Sequence, residues 1–146
     1  MNEEYKFDRD RLHKEIDKIA IAIKNNEFLG FPYFTYIAVS DDLAVYKIGR
    51  SRNPLKREGQ MKGGYRHFNF KMVFYIALNI EYEILVAIES SGAITPLPTY
   101  VGAKRREAYY LTSEDVDYIV EKCGFKPISD FKEYDKDNRI IRTCNL

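Results

Sequence analysis

The sequence lacks the features that define several large classes of protein. None of its apolar runs reaches the roughly 20 residues that a membrane-spanning helix needs, and its acidic, polar first residues do not follow a secretory pattern. It has two cysteines, Cys123 and Cys144, which show no metal-ligand spacing and need not pair. We therefore expect an intracellular protein, in the cytoplasm or nucleus, with no membrane partner.

The basic residues are concentrated in one segment, although the net charge is close to zero. The chain has 146 residues, 45% of them hydrophobic, which is enough for one packed domain and short for two. Its formal net charge is +1, yet residues 46–71 hold eight Lys or Arg against a single acid, Glu58. Such a segment, interleaved with tyrosines, indicates a phosphate-bearing partner. A solvated surface without a ligand is the alternative.

Hydrophobic spacing and turn residues predict the secondary structure. Apolar residues at helical spacing predict an amphipathic helix over residues 8–26, packed on the domain or on a partner. Two apolar runs around a Ser-Asp-Asp turn predict a β-hairpin over residues 34–48, and Asn53 followed by Pro54 predicts the start of a helix. The remaining predicted elements are a strand at residues 70–78, a helix at 81–91, a short strand at 108–111 and a helix capped by Thr112 and ended by Gly124.

These elements predict an α/β fold of the α+β type. We expect a small antiparallel three-stranded β-sheet flanked by helices, with an extra N-terminal helix in front of it. The predicted organisation is an N-terminal helix and linker over residues 1–30 and a main domain over residues 31–125. Residues 126–146 are polar and form a C-terminal extension of low order or a partner-binding tail.

The central segment carries a resemblance to a known family. Tyr36-Ile37, Lys47-Ile48-Gly49 and then Arg57 resemble the GIY-YIG nuclease signature. More narrowly, YKIGRSRNPLKR resembles the KIG-type branch common in phages and large DNA viruses, and EAYYLTSEDV is similar to that branch's EWFRLSPEDV block. The resemblance covers roughly residues 33–120. It departs from the pattern at Phe34, which replaces the first glycine, and at Met61, where many relatives carry His or Tyr.

The resemblance implies a GIY-YIG-like fold and a metal-dependent endonuclease that hydrolyses phosphodiester bonds of duplex or branched DNA with Mg²⁺ or Mn²⁺. It makes Tyr36 the general base and Lys47 the cation that renders its phenol more acidic. Arg57 then contacts the scissile phosphate, and Glu89 holds the metal, with Glu83 as the nearest competitor. The residues expected to bind nucleic acid are basic or aromatic and lie in or near the basic segments: Tyr46, Arg50, Arg52, Lys56, Lys62, Tyr65, Arg66, Lys104 and Arg105.

If these residues form one pocket, Tyr36 and Lys47 face the same side of the sheet and Arg57 points at them. Each also has an ordinary explanation: Tyr36 as a half-buried strand tyrosine, Lys47 as the outward residue of an edge strand, and Glu89 as a helix-surface glutamate. A chain that kept the fold and the basic face but lacked the metal ligand would bind nucleic acid without cutting it. A third interpretation is a protein-interaction domain that docks on a partner, or on a second copy, through its N-terminal helix.

Overall fold

The computed structural model describes residues 7–30, 32–41, 44–54, 56, 69–95, 108–134 and 140–143. Within these residues the chain forms helices α1 (Arg9–Lys24), α2 (Glu81–Ser90) and α3 (Ser113–Cys123). The strands are β1 (Phe34–Ser40), β2 (Val45–Ser51), β3 (Phe70–Ile76), β4 (Ala108–Tyr110), β5 (Lys126–Pro127), β6 (Lys132–Tyr134) and β7 (Ile140–Thr143), and a 3₁₀ turn covers Ile128–Asp130. The α+β class predicted from the sequence is confirmed.

Five strands form one antiparallel sheet in the order β4-β2-β1-β3-β5, and β6 pairs with β7 in a separate sheet. The prediction of a three-stranded sheet is therefore wrong about its size. Strands β2, β1 and β3 form the centre, and short segments extend both edges: Ala108 lies opposite Lys47, and Lys126 lies opposite Tyr75. This pairing satisfies backbone groups that a three-stranded sheet would leave open at its edges.

The helix ends follow local sequence signals. Asp8 accepts a hydrogen bond from a backbone N–H in the first turn of α1 at 3.0 Å. Thr112 and Asp115 form a capping box at the start of α3, and Gly124, with a φ of 88°, ends that helix in the left-handed conformation. The cap at Thr112 and the end at Gly124 were predicted, because each depends on a few neighbouring residues.

All three helices pack against one face of the sheet. Fully buried aliphatic side chains there come from every helix and both hairpin strands and include Leu12, Ile16, Ile37, Ile48, Ile84, Leu85, Ile88 and Ile119. Burying a side chain of this kind contributes about 1.5–3 kcal/mol. The N-terminal helix is thus part of the main hydrophobic core.

Polar and aromatic contacts connect α1 to α3. Arg9 Nε donates to Asp115 Oδ1 at 2.7 Å, and the Asp115 side chain is only 1% exposed. The rings of His13 and Tyr118 are stacked with their centroids 3.7 Å apart, and the Tyr118 hydroxyl donates to Asp17 at 2.6 Å. Of the two settings expected for α1, the structure shows the one in which it packs on its own domain.

The opposite face of the sheet carries a second apolar cluster, which includes Tyr36 and is covered by residues near the C-terminus. Ile128 is fully buried and Phe131 is 4% exposed. The Phe131 ring packs edge-on against the rings of Phe34 and Tyr75, at centroid distances of 5.4 and 5.3 Å. The expectation of low order after residue 125 is therefore wrong for residues 126–134, because a few apolar side chains among many charged ones are enough to hold this segment on the sheet.

Candidate functional site

Tyr36 and Lys47 lie next to each other on the two central strands. The register pairs Tyr36 with Gly49 and Ala38 with Lys47, so these four residues share one face of the sheet. Lys47 Nζ lies 5.3 Å from the centroid of the Tyr36 ring, within the range of a cation–π interaction. The expectation that Tyr36 and Lys47 face the same side, together with Phe34 and Ala38, is confirmed.

Gly49 allows the Tyr36 side chain to lie across β2. A Cβ atom at position 49 would stand 2.3 Å from both Cζ and Oη of Tyr36, far closer than non-bonded carbon atoms approach one another. The phenol therefore occupies the space that any other residue type at this position would fill. The resemblance had placed Gly49 in the KIG segment, but the sequence did not predict that its missing side chain makes room for Tyr36.

Both members of the pair are enclosed. Tyr36 is 1% exposed and Lys47 is 0% exposed, and the surrounding cluster includes Val45, Met72 and Ala108. In this conformation neither the phenol nor the ammonium group meets bulk water. The alternative that Lys47 is the outward residue of an edge strand is wrong, because β2 lies between β1 and β4. The alternative of a half-buried Tyr36 is wrong as well, since that side chain is completely covered.

A basic surface lies at the end of β2, on the other face of the sheet. Arg50 follows Ile48 by two residues, and Ile48 faces the helices, so both point to that side. The Cζ atoms of Arg50 and Arg52 lie 5.0 and 5.4 Å from the centroid of the Tyr33 ring. Both arginines are exposed, and among the described residues the ion pairs involve other side chains. We call Tyr33, Arg50 and Arg52 the arginine–tyrosine surface.

Lys56 is exposed and follows this surface along the chain. Its backbone N–H donates to Asn53 Oδ1 at 3.2 Å, which is the cap predicted from the sequence. The turn capped by Asn53 starts two residues after the end of β2, so Lys56 comes shortly after the two arginines in the chain. Lys56 thus extends the basic character of this end of β2.

Tyr46 does not belong to the basic surface, although the sequence analysis placed it among the nucleic-acid contacts. It is 8% exposed and packs in the helix-side core, opposite Tyr109 of β4. Burial, and then the charge of Asp117, raise the pKa of Tyr46. The predicted contact is at odds with this position, because the core covers the Tyr46 side chain even though it points to the same side of β2 as Ile48 and Arg50.

Glu89 also lies on the helix side of the sheet, away from Tyr36 and Lys47. Its carboxylate accepts a hydrogen bond from the Tyr109 hydroxyl, and Tyr109 packs in the helix-side core. The sheet therefore separates Glu89 from Tyr36. Glu83 belongs to the same helix, and burial raises the pKa of its carboxyl group. The structure does not bring Glu89 together with the pair that the resemblance assigns to the same site.

The expectation of Mg²⁺ or Mn²⁺ held by Glu89 stays a prediction. Magnesium is bound in proteins by carboxylates and waters, and no group of three or more His, Cys, Asp or Glu in the described ranges could hold a metal ion. The carboxylate assigned as its ligand lies on the wrong face of the sheet for Tyr36. The other predicted site residues lie outside the described residues: Arg57, Lys62, Tyr65, Arg66, Lys104 and Arg105.

Comparisons with known protein families, with curated proteins and with solved structures found no match. Among the helices described, none is long and apolar enough to cross a membrane.

Proposed function

We propose that this chain binds duplex DNA through the arginine–tyrosine surface. The observation that carries the proposal is the pair of exposed guanidinium groups, 5.0 and 5.4 Å from one tyrosine ring. Guanidinium forks match the geometry of phosphate oxygens, and each phosphate that they neutralise releases condensed counterions. The resemblance to GIY-YIG nucleases supports DNA as the polyanion.

The ring of Tyr33 contributes order to this surface. A guanidinium group held against an aromatic ring loses less freedom when it binds than one that moves freely, because the ring already restricts its rotamers. Lys56, which is exposed and lies four residues after Arg52, adds a further positive charge to this segment. These contacts go to the DNA backbone, so we expect binding with little dependence on base sequence.

The proposal is tested by fluorescence anisotropy with a labelled duplex across a salt series. We expect log K to fall linearly with log salt concentration, because binding depends on counterion release. The double variant Arg50→Glu/Arg52→Glu should bind every duplex more weakly and should lower the magnitude of the salt slope by about two, or about one for each lost phosphate contact.

The matched control is Lys126→Glu, which reverses one exposed charge at the far edge of the sheet. This variant should bind DNA almost as the wild type does. Binding that is indifferent to salt, or an equal loss of affinity in the control, would contradict the proposal and leave the arginines as an ordinary solvated surface.

DNA cleavage is a second candidate function, and the arrangement of Tyr36, Lys47 and Gly49 favours it. Tyr36 would take the proton from the attacking water as a general base. Lys47, whose Nζ lies 5.3 Å from the centroid of the Tyr36 ring, would supply positive charge beside it. Because both side chains are enclosed, substrate has to reach this face of the sheet through a change of conformation.

Cleavage is tested with supercoiled plasmid and purified full-length chain, with and without Mg²⁺ or Mn²⁺. Tyr36→Phe removes the hydroxyl and keeps the ring, so DNA binding should persist while nicking falls by about 10²–10⁴-fold, the usual cost of losing a general base. Tyr110→Phe is the matched control, since Tyr110 is 48% exposed on β4. If the wild type cuts no DNA under any of these conditions, the second candidate fails and the binding proposal is unaffected.

The variant Glu89→Gln distinguishes between two accounts of Glu89. The resemblance makes Glu89 the metal ligand, whereas the structure places it across the sheet from Tyr36. If Glu89 held the catalytic metal, the substitution would abolish nicking. Because Glu89 lies across the sheet from Tyr36 and bonds Tyr109, we expect nicking to continue at close to the wild-type rate. Loss of nicking with DNA binding retained would show that the resemblance gives the better account of this residue.

A further inference from the structure

One short segment covers the face of the sheet that carries Tyr36. Every other described member of the second apolar cluster lies on a strand of the sheet, whereas Ile128 and Phe131 follow β5. The Phe131 ring packs edge-on against Phe34, which precedes Tyr36 by two residues on β1. It also packs edge-on against Tyr75, which lies directly opposite Tyr36 on β3. Phe131 therefore lies against two nearest neighbours of Tyr36 on the same face.

Few contacts hold this segment in place. It begins after Phe125, which packs in the helix-side core, and it passes the edge of the sheet as β5, whose two residues pair with β3. Pro127 of β5 has no backbone N–H to donate to that pairing. Within residues 126–131 only Ile128 and Phe131 are buried, and the others are exposed. A segment with so few buried contacts opens at a lower free energy than the rest of the core.

The covered face holds groups that suit a phosphodiester. Lys47 Nζ lies 5.3 Å from the centroid of the Tyr36 ring, and a lysine ammonium group is a point charge that binds phosphate oxygens. Lys47 is 0% exposed, however, so a polymer such as DNA cannot reach it in this conformation. Among the described parts of the chain, residues 126–131 are the part of this cluster that does not belong to the four longer strands. Their movement is therefore what opens the face.

We propose that residues 126–131 form a strap that closes the Tyr36–Lys47 face and opens as one unit, about Phe125, to admit a phosphodiester of DNA. The conformation described here is the closed, inactive state. This inference rests on DNA cleavage, the second candidate function, because it concerns the regulation of the same side chains. Opening of the strap is nevertheless measurable without any cleavage.

The first test measures how fast Lys47 of the full-length chain reacts with an amine-acetylating reagent, with peptide mapping by mass spectrometry. Phe131→Ala should raise the rate at Lys47 by at least about tenfold, because the population of the open form sets that rate. The exposed Lys56 is the internal standard and should react equally in every variant. An unchanged rate at Lys47 in Phe131→Ala overturns the proposal.

Ile19→Ala is the matched control. It truncates a side chain of similar exposure, 8% against 4% for Phe131, in the helix-side core. Lys47 should react in this variant almost as slowly as in the wild type, because the strap keeps its own contacts. An equal rise at Lys47 in both variants would mean that only unfolding of the whole domain exposes it, and the strap would be refuted.

A reversible lock tests the strap without removing its buried side chains. Phe74 of β3 lies opposite Pro127 of β5, and Cα atoms opposite each other in an antiparallel pair are about 4.5–5.5 Å apart, which a disulfide can span. In the variant Phe74→Cys/Pro127→Cys, made with Cys144→Ser, Lys47 should react more slowly in the oxidised chain than in the same chain after reduction. Equal rates in the two forms contradict the proposal.

Nicking of supercoiled plasmid connects the strap to cleavage. The reduced form of the locked variant should nick faster than the oxidised form, and Phe131→Ala should nick faster than the wild type. If Lys47 becomes reactive as expected and no variant nicks DNA, the cleavage function fails and the opening of the strap stands on its own measurement. If the wild type nicks DNA and neither variant changes the rate at Lys47, cleavage stands and the strap is overturned.

Discussion

Gly49→Ala is expected to destabilise the fold through a single contact. The added methyl group would stand 2.3 Å from Tyr36 Cζ and Oη and 2.8 Å from Cε2. The ring cannot swing away, because Tyr36 is 1% exposed, and β2 cannot shift freely between its two neighbouring strands. Overpacking of this kind costs about 1–3 kcal/mol, and the rigid surroundings place the cost at the upper end.

The expected net change is smaller than the gross cost. Replacing glycine by alanine reduces the entropy of the unfolded chain and returns about 0.4–1 kcal/mol. The free energy of unfolding should therefore fall by about 2 kcal/mol, a large part of the 5–15 kcal/mol that keeps a domain folded. Urea unfolding followed by far-UV circular dichroism measures this difference directly.

A double-mutant cycle identifies the cause. Tyr36→Leu deletes Cε2, Cζ and Oη but keeps much of the buried apolar volume, so Gly49→Ala should become nearly neutral in that background. The resulting coupling energy of about 2 kcal/mol lies in the range seen for residues in contact. If Gly49→Ala costs the same in both backgrounds, the contact with Tyr36 is not the reason for the glycine.

Gly124→Ala is the control for the cycle, because it destabilises for a different reason. Gly124 has a φ of +88° and no atom within 4 Å of its would-be Cβ. Alanine there should cost about 1–2 kcal/mol through left-handed backbone strain alone. This cost should add to that of Tyr36→Leu without coupling, since the two positions share no contact.

Two further predictions concern buried titratable groups. Burial raises the pKa of Asp115, but hydrogen bonds from Arg9 and Thr112 outweigh it and hold the pKa below its usual value. The stabilisation from Asp115 is thus present above about pH 4 and is lost as the pH falls through the lowered pKa. The free energies of unfolding of the wild type and of Asp115→Ala should therefore converge as the pH falls through this range. A difference between them that stays constant with pH would contradict this prediction. Burial raises the pKa of Cys123 to about 12, so in a Cys144→Ser background a thiol reagent at pH 8 should label Cys123 far more slowly in native protein than in urea, whereas equal rates would show that it is accessible.

The local features of the fold could be predicted from the sequence. The cap at Asp8, the capping box at Thr112 and the stop at Gly124 depend on residues within one helical turn. The shared face of Tyr36 and Lys47 follows from the period of two along each strand once the hairpin is recognised. These predictions needed no knowledge of how the elements pack together.

The long-range features could not be predicted in the same way. Strand β5 has two residues, Lys126–Pro127, too few to show any alternation. The spacing of Glu89 from the central motif does not reveal on which face of the sheet α2 packs, and that choice separates Glu89 from Tyr36. Phe131 is apolar in a charged segment, and only the position of the segment on the sheet shows that it is core.

The packing of Gly49 changes which experiment is informative about catalysis. The Tyr36 ring occupies the space that a side chain at position 49 would need. A Gly49 variant could therefore lose activity because it misfolds, and such a loss would not identify a catalytic role. The same holds for Lys47, which is fully buried beside that ring. Tyr36→Phe keeps the ring over Gly49 and beside Lys47, and it deletes only the oxygen. Tyr36→Phe therefore tests the proposed role of the hydroxyl in cleavage while the packing of the ring is retained.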